Sequence, residues 1–170
     1  MRLYLMRHAI AVARGSPGDA RDAQRPLTEE GREQARSVAK GLKRLKADAD
    51  LIATSPYLRA LQTAEQVAQL FGRGMPVKEL DALRPDVNPA ETSLALNAFA
   101  AHDGIVLVGH EPHLGAWVAE LVADRGGMRC RFKKAGVACI EIDRVPPPQG
   151  SGTLQWLMSP KQLTLIGRAG

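Results

Sequence analysis

The stretch Ile105-Val106-Leu107-Val108-Gly109-His110 decides the fold class of this chain. Its first four residues are apolar and mostly β-branched, and so short a continuous run predicts a strand that is buried on both faces. Two similar runs lie at residues 2–6 and 50–54, and helical patterns follow the strands. Strands that alternate with helices predict an α/β fold, which we expect to be a three-layer sandwich around a mostly parallel sheet.

The first two helices have recognisable starts. Thr28 is expected to cap a helix that continues to about Lys46, because its hydroxyl can accept a bond from the first turn. Ser55 followed by Pro56 predicts the start of a second helix, which ends at about Phe71. The apolar face of the first helix is predicted to consist of Ala35, Val38, Ala39, Leu42 and Leu45.

The second half of the chain predicts two more helices and a hairpin. The helices are expected at about 90–101 and 112–124. Two apolar runs at 137–143 and 153–158 flank a proline-rich turn, so we expect a hairpin and at least one antiparallel strand. No repeat or boundary divides the sequence, and we expect residues 1–170 to form a single domain.

Composition limits the function. The chain has 170 residues, a mass of 18.3 kDa and a net charge of +5, and such a basic balance suits anionic partners. Aromatic residues make up only 4% of the chain, too few for the stacking platforms of single-stranded nucleic-acid binders. No apolar run approaches the roughly 18 residues of a membrane span. We therefore expect a protein that binds neither nucleic acid nor membranes.

The N-terminus and the cysteines bear on the compartment. The first apolar run is short and ends at Arg7, so it does not resemble a secretory signal. Cys130 and Cys139 lack the close spacing of metal sites. We therefore expect a cytoplasmic protein with two free thiols. A monomer is the default expectation.

Chemistry-bearing residues follow three strands or open the next helix. Arg7 and His8 follow the first strand, Arg59 lies in the first turn after the second, and His110 follows the stretch quoted above. Parallel sheets bind ligands beyond the carboxyl ends of their strands, so these side chains are expected to meet at one edge. A neutral histidine is a nucleophile toward phosphorus, and arginines bind phosphoryl oxygens in pairs. The pattern predicts a phosphate site, with the arginines lowering the pKa of the nucleophilic histidine.

The other two histidines are given structural roles. His102 and His113 are interpreted as hydrogen-bonded structural residues. His110 and His113 have the spacing of metal ligands, but Pro112 between them and the lack of further ligands argue against a metal site.

Four motifs in order resemble those of the histidine phosphatase superfamily. They are Leu5-Met6-Arg7-His8-Ala9, Arg25-Pro26-Leu27-Thr28-x-x-Gly31, Ser55-Pro56-x-x-Arg59-Ala60-x-Gln62-Thr63 and Val108-Gly109-His110-Glu111-Pro112. The segment Trp156-Leu157-Met158-Ser159-Pro160 also resembles the small, single-domain phosphohistidine phosphatases of the SixA type.

The resemblance implies a phosphoglycerate-mutase-like fold and a covalent mechanism. His8 would be the nucleophile, and Arg7, Arg59 and His110 would bind the phosphate. No metal or organic cofactor is implied. The implied substrate is phosphohistidine on a phosphotransfer protein, and the short chain predicts an open site with no lid.

Two positions depart from the family pattern. Ala9 replaces a glycine, which removes no catalytic group. Ala82 stands where many members place a general acid, and Glu79, Asp81, Asp86 or no residue at all could supply the proton. The leaving group of a phosphoramidate departs from phosphorus more easily than that of an alkyl phosphate. A missing acid therefore favours phosphohistidine as substrate.

Alternative functions remain open from sequence alone. The chain could act on small phosphate monoesters, or it could bind phosphoproteins without catalysis. The basic stretch of Arg125, Arg129, Arg131, Lys133 and Lys134 could dock an acidic partner or could simply be a solvated loop.

Overall fold

Alternate side chains of the central strands enter two separate cores, one on each face of the sheet. In the computed structural model, which describes residues 1–15, 22–72, 74–123 and 127–169, Ile105 and Leu107 pack in one core. Val106 and Val108 pack in the other. All four side chains are fully buried. The run is therefore a strand buried on both faces, as predicted.

The sheet has six strands in the order β3-β2-β4-β1-β5-β6. Their bounds are Arg2–Arg7 (β1), Leu51–Thr54 (β2), Val77–Glu79 (β3), Gly104–Gly109 (β4), Val137–Glu141 (β5) and Thr153–Met158 (β6). β3, β2, β4 and β1 pair in parallel, whereas β5 is antiparallel to both β1 and β6. The predicted mostly parallel sheet with one antiparallel strand is confirmed.

Five α-helices in the described residues cover the two faces. Their bounds are Glu29–Arg44 (α1), Leu58–Phe71 (α2), Pro89–Ala95 (α3), His113–Val122 (α4) and Pro160–Arg168 (α5). α1, α2 and α5 supply the core on one face of the sheet. On the other face the core is supplied by α4 and by Leu96 and Phe99 of the 3-10 helix that follows α3. The three-layer sandwich is therefore confirmed. None of these helices in the described part of the chain has the length and apolar character that crossing a membrane requires.

Several helix boundaries differ from the sequence predictions. α1 ends at Arg44, and Leu45 is its C-cap with 37% of its surface exposed, so it does not belong to the buried face. The helix expected at 90–101 is an α-helix only to Ala95 and continues as a 3-10 helix, Leu96–Phe99. α4 begins at His113 with Pro112 as its N-cap and ends at Val122, whereas the predicted end at Asp124 lies outside the described residues.

Helix α5 was not predicted, although the sequence contains its signal. Ser159 caps it, and Gln162 returns the bond to the backbone of Ser159, which is a capping box. Pro160 occupies the first turn. The helix packs so closely on α1 that a Cβ at Gly41 would lie 2.2 Å from the carbonyl oxygen of Leu163.

Candidate active site

The register of the parallel strands brings the predicted site residues to one edge. Met6 of β1 and Thr54 of β2 both pair with Val108 of β4, so the three strands end at the same level. The residues just beyond these ends line one cavity of about 370 Å³. It contains all four predicted side chains, namely Arg7, His8, Arg59 and His110.

The hydrogen bonds of His8 determine its tautomer. Nδ1 lies 2.7 Å from the carbonyl oxygen of Ala9, which can only accept, so Nδ1 carries the proton. The unprotonated Nε2 accepts a bond from Nε of Arg59 at 3.2 Å. Burial lowers the pKa of His8 to about 3, with smaller contributions from the charges of Arg59 and Arg7. The arginines were predicted to cause this shift, but burial is the larger cause.

The guanidinium group of Arg59 is buried and contacts His8, Asp22 and Tyr57. Its side chain is 3% exposed, and Nη1 and Nη2 donate to the backbone carbonyl oxygen and to Oδ2 of Asp22 at 2.6 and 3.1 Å. Its guanidinium carbon lies 5.0 Å from the ring centre of Tyr57. Burial alone would raise the pKa of Asp22, but hydrogen bonds from Arg14 and Arg25 and the charge of Arg59 lower it to about 2. Asp22 is therefore ionised at neutral pH and forms ion pairs with Arg14, Arg25 and Arg59.

Arg7 is fixed by a backbone carbonyl and retains a free donor. Nη1 donates to the carbonyl oxygen of Phe132 at 2.8 Å, while the Phe132 N–H donates to Oε1 of Glu111 at 2.8 Å. Nε of Arg7 is buried and has no hydrogen-bond partner in the described part of the chain. Glu111 therefore positions Arg7 through Phe132.

His110 is hydrogen-bonded to Ser55. Its Nε2 lies 2.8 Å from Oγ of Ser55, and Nδ1 is buried without a partner among the described residues. Its ring centre lies 5.2 Å from that of His8. Burial, followed by the charges of His8 and Arg59, lowers the pKa of His110 to about 2.

Ser55 does not cap α2 as predicted. Its hydroxyl is engaged with His110 and also accepts a bond from the Tyr57 N–H at 3.3 Å, whereas Tyr57 is the N-cap. Arg59 nevertheless lies in the first turn of α2, as predicted.

The remaining motif residues join the loops around the cavity. The Ala9 N–H donates to Oγ1 of Thr63 at 3.0 Å, and the Leu27 N–H donates to Oε1 of Gln62 at 2.8 Å. Gly31 packs against the backbone of Ile10, where a Cβ would lie 1.9 Å from the carbonyl oxygen. Only glycine fits at this position, because the atom that a side chain would meet belongs to the backbone.

The acids considered as proton donors do not reach the cavity. Glu79, Asp81 and Asp86 are exposed, and none of them lines it. Asp86 instead pairs with Arg84 at 3.0 Å. Among the described residues that line the cavity, Glu111 has the only carboxylate.

Two functional candidates, Asp22 and Glu111, were missed as site residues by the sequence analysis. Glu111 lies within a quoted motif, but its backbone contact at Phe132 is 21 positions away. Asp22 precedes Arg25 by the three residues of one turn, and this spacing was the available signal.

Residues given structural roles make contacts outside the cavity. Nε2 of His113 is 2.9 Å from Oγ1 of Thr92, and Nδ1 of His102 is 3.0 Å from Oδ1 of Asp50. Cys130 and Cys139 are free thiols. The described residues contain no group of three or more histidine, cysteine or acidic side chains arranged to hold a metal ion.

Comparison with known proteins assigns the family. The model of the histidine phosphatase superfamily (branch 1) matches residues 3–87. Phosphohistidine phosphatase SixA of Escherichia coli (strain K12) is 30% identical over 167 residues, which are 97% of this chain and 98% of that protein. The solved structure of the protein histidine phosphatase SixA complexed with tungstate superposes with a TM-score of 0.83 at 31% identity, covering 96% of this chain and 99% of that one.

A more distant structure shows the same fold. The alpha-ribazole phosphatase from Shigella flexneri superposes with a TM-score of 0.65 at 23% identity, covering 94% of this chain and 97% of that one. The family match and the nearly full-length relative agree with the motifs around the cavity. The chain belongs to the histidine phosphatase superfamily, branch 1, and is one of its hydrolases.

Proposed function

We propose that this chain is a protein phosphohistidine phosphatase that acts through a covalent intermediate on His8. The observation that carries the proposal is the hydrogen bonding of His8. Its Nδ1 proton is bound by the carbonyl of Ala9, and its Nε2 lone pair faces Nε of Arg59 at 3.2 Å. A buried neutral imidazole held in this tautomer is a ready nucleophile.

Two unpartnered nitrogens in the cavity residues support phosphate binding. Nε of Arg7 and Nδ1 of His110 are buried without partners in the described part of the chain. The Ser55 hydroxyl is satisfied if it donates to Nε2 of His110, and Nδ1 of His110 then carries a proton that needs an acceptor. Phosphoryl oxygens would supply both acceptors. The related SixA structure contains tungstate, a tetrahedral oxyanion like phosphate.

The reaction proceeds in two displacements. Nε2 of His8 attacks phosphorus, the phosphorus–nitrogen bond of the substrate breaks, and the leaving imidazole keeps the electron pair and takes a proton from solvent. His8 retains its Nδ1 proton, so the intermediate carries a positive charge that the Ala9 carbonyl stabilises. Water then attacks phosphorus, the bond from phosphorus to Nε2 of His8 breaks with its electron pair returning to Nε2, and phosphate and a proton are released, which restores neutral His8. The proton lost by water balances the one that the imidazole gained.

Arg7 and Arg59 bind the phosphoryl oxygens and stabilise the charge that spreads over them in the transition state. Their fixed cationic donors provide the charge stabilisation that a metal ion provides in other phosphatases. We therefore infer that the reaction needs no metal.

The substrate class follows from the leaving group. Glu79, Asp81 and Asp86 do not line the cavity, so none of them is placed to protonate a leaving alkoxide. The carboxylate of Glu111 does line it, but its Oε1 is engaged as the acceptor of the Phe132 N–H. An imidazole leaves phosphorus more easily than an alkoxide and tolerates this arrangement. The similarity to E. coli SixA, a phosphohistidine phosphatase, supports the same choice. The substrate is therefore a phosphohistidine on a protein, for which a phosphotransfer domain is the natural source.

Rapid-quench labelling tests the proposal. Wild type, His8→Ala and the control His102→Ala are mixed with a phosphotransfer domain that carries ³²P-phosphohistidine, in the presence of a chelator. We expect a base-stable and acid-labile label on wild type and on His102→Ala but not on His8→Ala. His102 is a matched control because it is a histidine outside the cavity.

Each alternative has a distinct outcome. Equal turnover by His8→Ala and wild type would contradict the nucleophile. Turnover of small phosphate monoesters without turnover of phosphohistidine would contradict the substrate class. Loss of activity with chelator that added Mg²⁺ or Zn²⁺ restores would contradict metal independence.

A further inference from the structure

The segment 127–134, here called the basic segment, alternates apolar and charged side chains from Met128 to Lys133. Arg129, Arg131 and Lys133 are exposed, whereas Cys130 is half-buried and Phe132 is 1% exposed. Alternation with a period of two is the pattern of extended backbone that rests on a core. Its outer side therefore presents a row of cations.

Phe132 fixes the basic segment to the phosphate cavity. Its side chain packs in the core beneath α4, its N–H donates to Oε1 of Glu111, and its carbonyl accepts from Nη1 of Arg7. Both polar partners line the cavity. The row of cations therefore has a set position beside the phosphate site.

A groove lies on each side of the basic segment. One, of about 600 Å³, runs along α4 and is lined by Ala116, Ala119 and Arg131 among others. The other, of about 630 Å³, lies toward the start of α5 and is lined by Lys133 and Lys161 among others. The first groove shares Glu111 with the phosphate cavity, and the second shares Arg7 and Lys134. The cavity thus lies in the middle of one continuous concave surface.

The positive charge of this surface is not neutralised within the described residues. Arg129, Arg131, Lys133 and Lys161 make no ion pair there, in contrast to Arg59, which pairs with Asp22. Glu111 is the only carboxylate among the described residues that line the cavity and both grooves. Arg125 of the basic stretch lies outside the described residues.

We propose that this surface docks the acidic region surrounding the phosphohistidine of the protein substrate. The inference rests on the proposed function and adds to it a charge preference that lies outside the phosphate cavity. An acidic partner matches the uncompensated cations, while the exposed Ala116 and the neighbouring Ala119 provide an apolar floor for contact. Charge complementarity of this kind accelerates encounter and selects partners.

Two phosphohistidine peptides of equal length test the inference, one with glutamates on both sides of the phosphohistidine and one with glutamines. Wild type is expected to hydrolyse the glutamate peptide with a kcat/KM about 10-fold higher at low salt, and the preference is expected to fall at high salt. The double variant Lys133→Glu/Lys161→Glu should lose the preference. Its turnover of free phosphohistidine should not change, because neither lysine lines the phosphate cavity.

The control variant is Lys40→Glu/Lys43→Glu, which makes the same change of charge on exposed lysines of α1. These positions lie at least about 13 Å along the helix from Gly31, where α1 meets the cavity loops. The control should keep the preference. Retention of the preference by Lys133→Glu/Lys161→Glu, or its absence in wild type, would overturn the inference alone. Failure of wild type to hydrolyse any phosphohistidine would overturn the proposed function and this inference together.

Discussion

The phosphate cavity and the basic segment hold their cations in opposite ways. Arg59 is 3% exposed, and its guanidinium has partners in His8 and Asp22. Lys133, in contrast, is exposed and unpaired among the described residues. A transition state needs donors at fixed positions, whereas an approaching partner responds to charge over several ångströms. We therefore expect the activity to depend on the geometry of the cationic side chains in the cavity, but only on their charge at the basic segment.

Exchange of arginine and lysine gives the largest expected effect. Arg59→Lys keeps the charge but loses the planar set of donors, so we expect kcat on free phosphohistidine to fall about 100-fold or more. The reverse exchange, Lys133→Arg, should leave kcat/KM on the phosphoprotein within about 2-fold. Steady-state kinetics measures both. A large effect of Lys133→Arg, or no effect of Arg59→Lys, would contradict this distinction between geometry and charge.

Removal of Glu111 tests how the cavity fixes Arg7. In Glu111→Ala the Phe132 N–H loses its acceptor, and we expect KM for free phosphohistidine to rise about 10-fold as Arg7 loses its position. Glu111→Gln retains an oxygen acceptor and should restore most of the affinity. If the two variants lose kcat equally with KM unchanged, Glu111 acts through its charge or its proton instead of through Arg7.

Acid should destabilise the fold through the buried histidines. Burial lowers the pKa values of His8, His110 and His113 to about 3, 2 and 4, against about 6.5 in an unfolded chain. Between pH 6.5 and 4 the unfolded chain therefore binds more protons, and the free energy of unfolding falls as pH falls, by up to about 1.4 kcal/mol per histidine and pH unit.

Urea unfolding at pH 7.5, 6.5, 5.5 and 4.5 measures this loss of stability. A free energy of unfolding that stays constant from pH 6.5 to 4.5 would contradict the burial argument.

The smallest expected effect concerns the His8 ring, which should not change its protonation state between pH 5 and pH 8. The ring nitrogen signals of His8 should stay those of a neutral imidazole protonated on Nδ1 from pH 5 to pH 8, because its pKa is lowered to about 3. Nitrogen-15 NMR of labelled histidine rings checks this, with free histidine in the same buffer as reference. A midpoint for His8 near pH 6.5 would show that its ring is accessible to water and would weaken the proposed nucleophile.

The parts of the fold that local patterns specify were predictable. Continuous apolar runs identified β2 and β4, and the cap at Thr28 identified the start of α1. Helix ends were less predictable, because packing decides where a turn continues. Ser55 has the form of a cap, yet its hydroxyl is engaged with His110, a residue 55 positions away. α5 was missed although its capping box is local, so that omission was avoidable.

The same division applies to the candidate site. Arg7, His8, Arg59 and His110 were predicted because each follows a strand or opens a helix, and parallel strands end at one edge. Asp22 and Glu111 were not predicted as site residues, because the conformation of the loops determines which groups they contact. The cause of the His8 pKa shift was also misjudged, since sequence shows neighbouring charge but not burial.

The sequence by itself determined the family, the alternation of strands and helices apart from α5, and the four residues that meet at the cavity. Periodicity, caps and motifs are local, and local patterns can be read from a linear chain. Only the tertiary structure decided the tautomer of His8, the positioning of Arg7 through Phe132, and the setting of the phosphate cavity within a continuous basic surface. These features depend on distances between residues far apart in sequence, which are fixed only when the sheet register and the loops pack together.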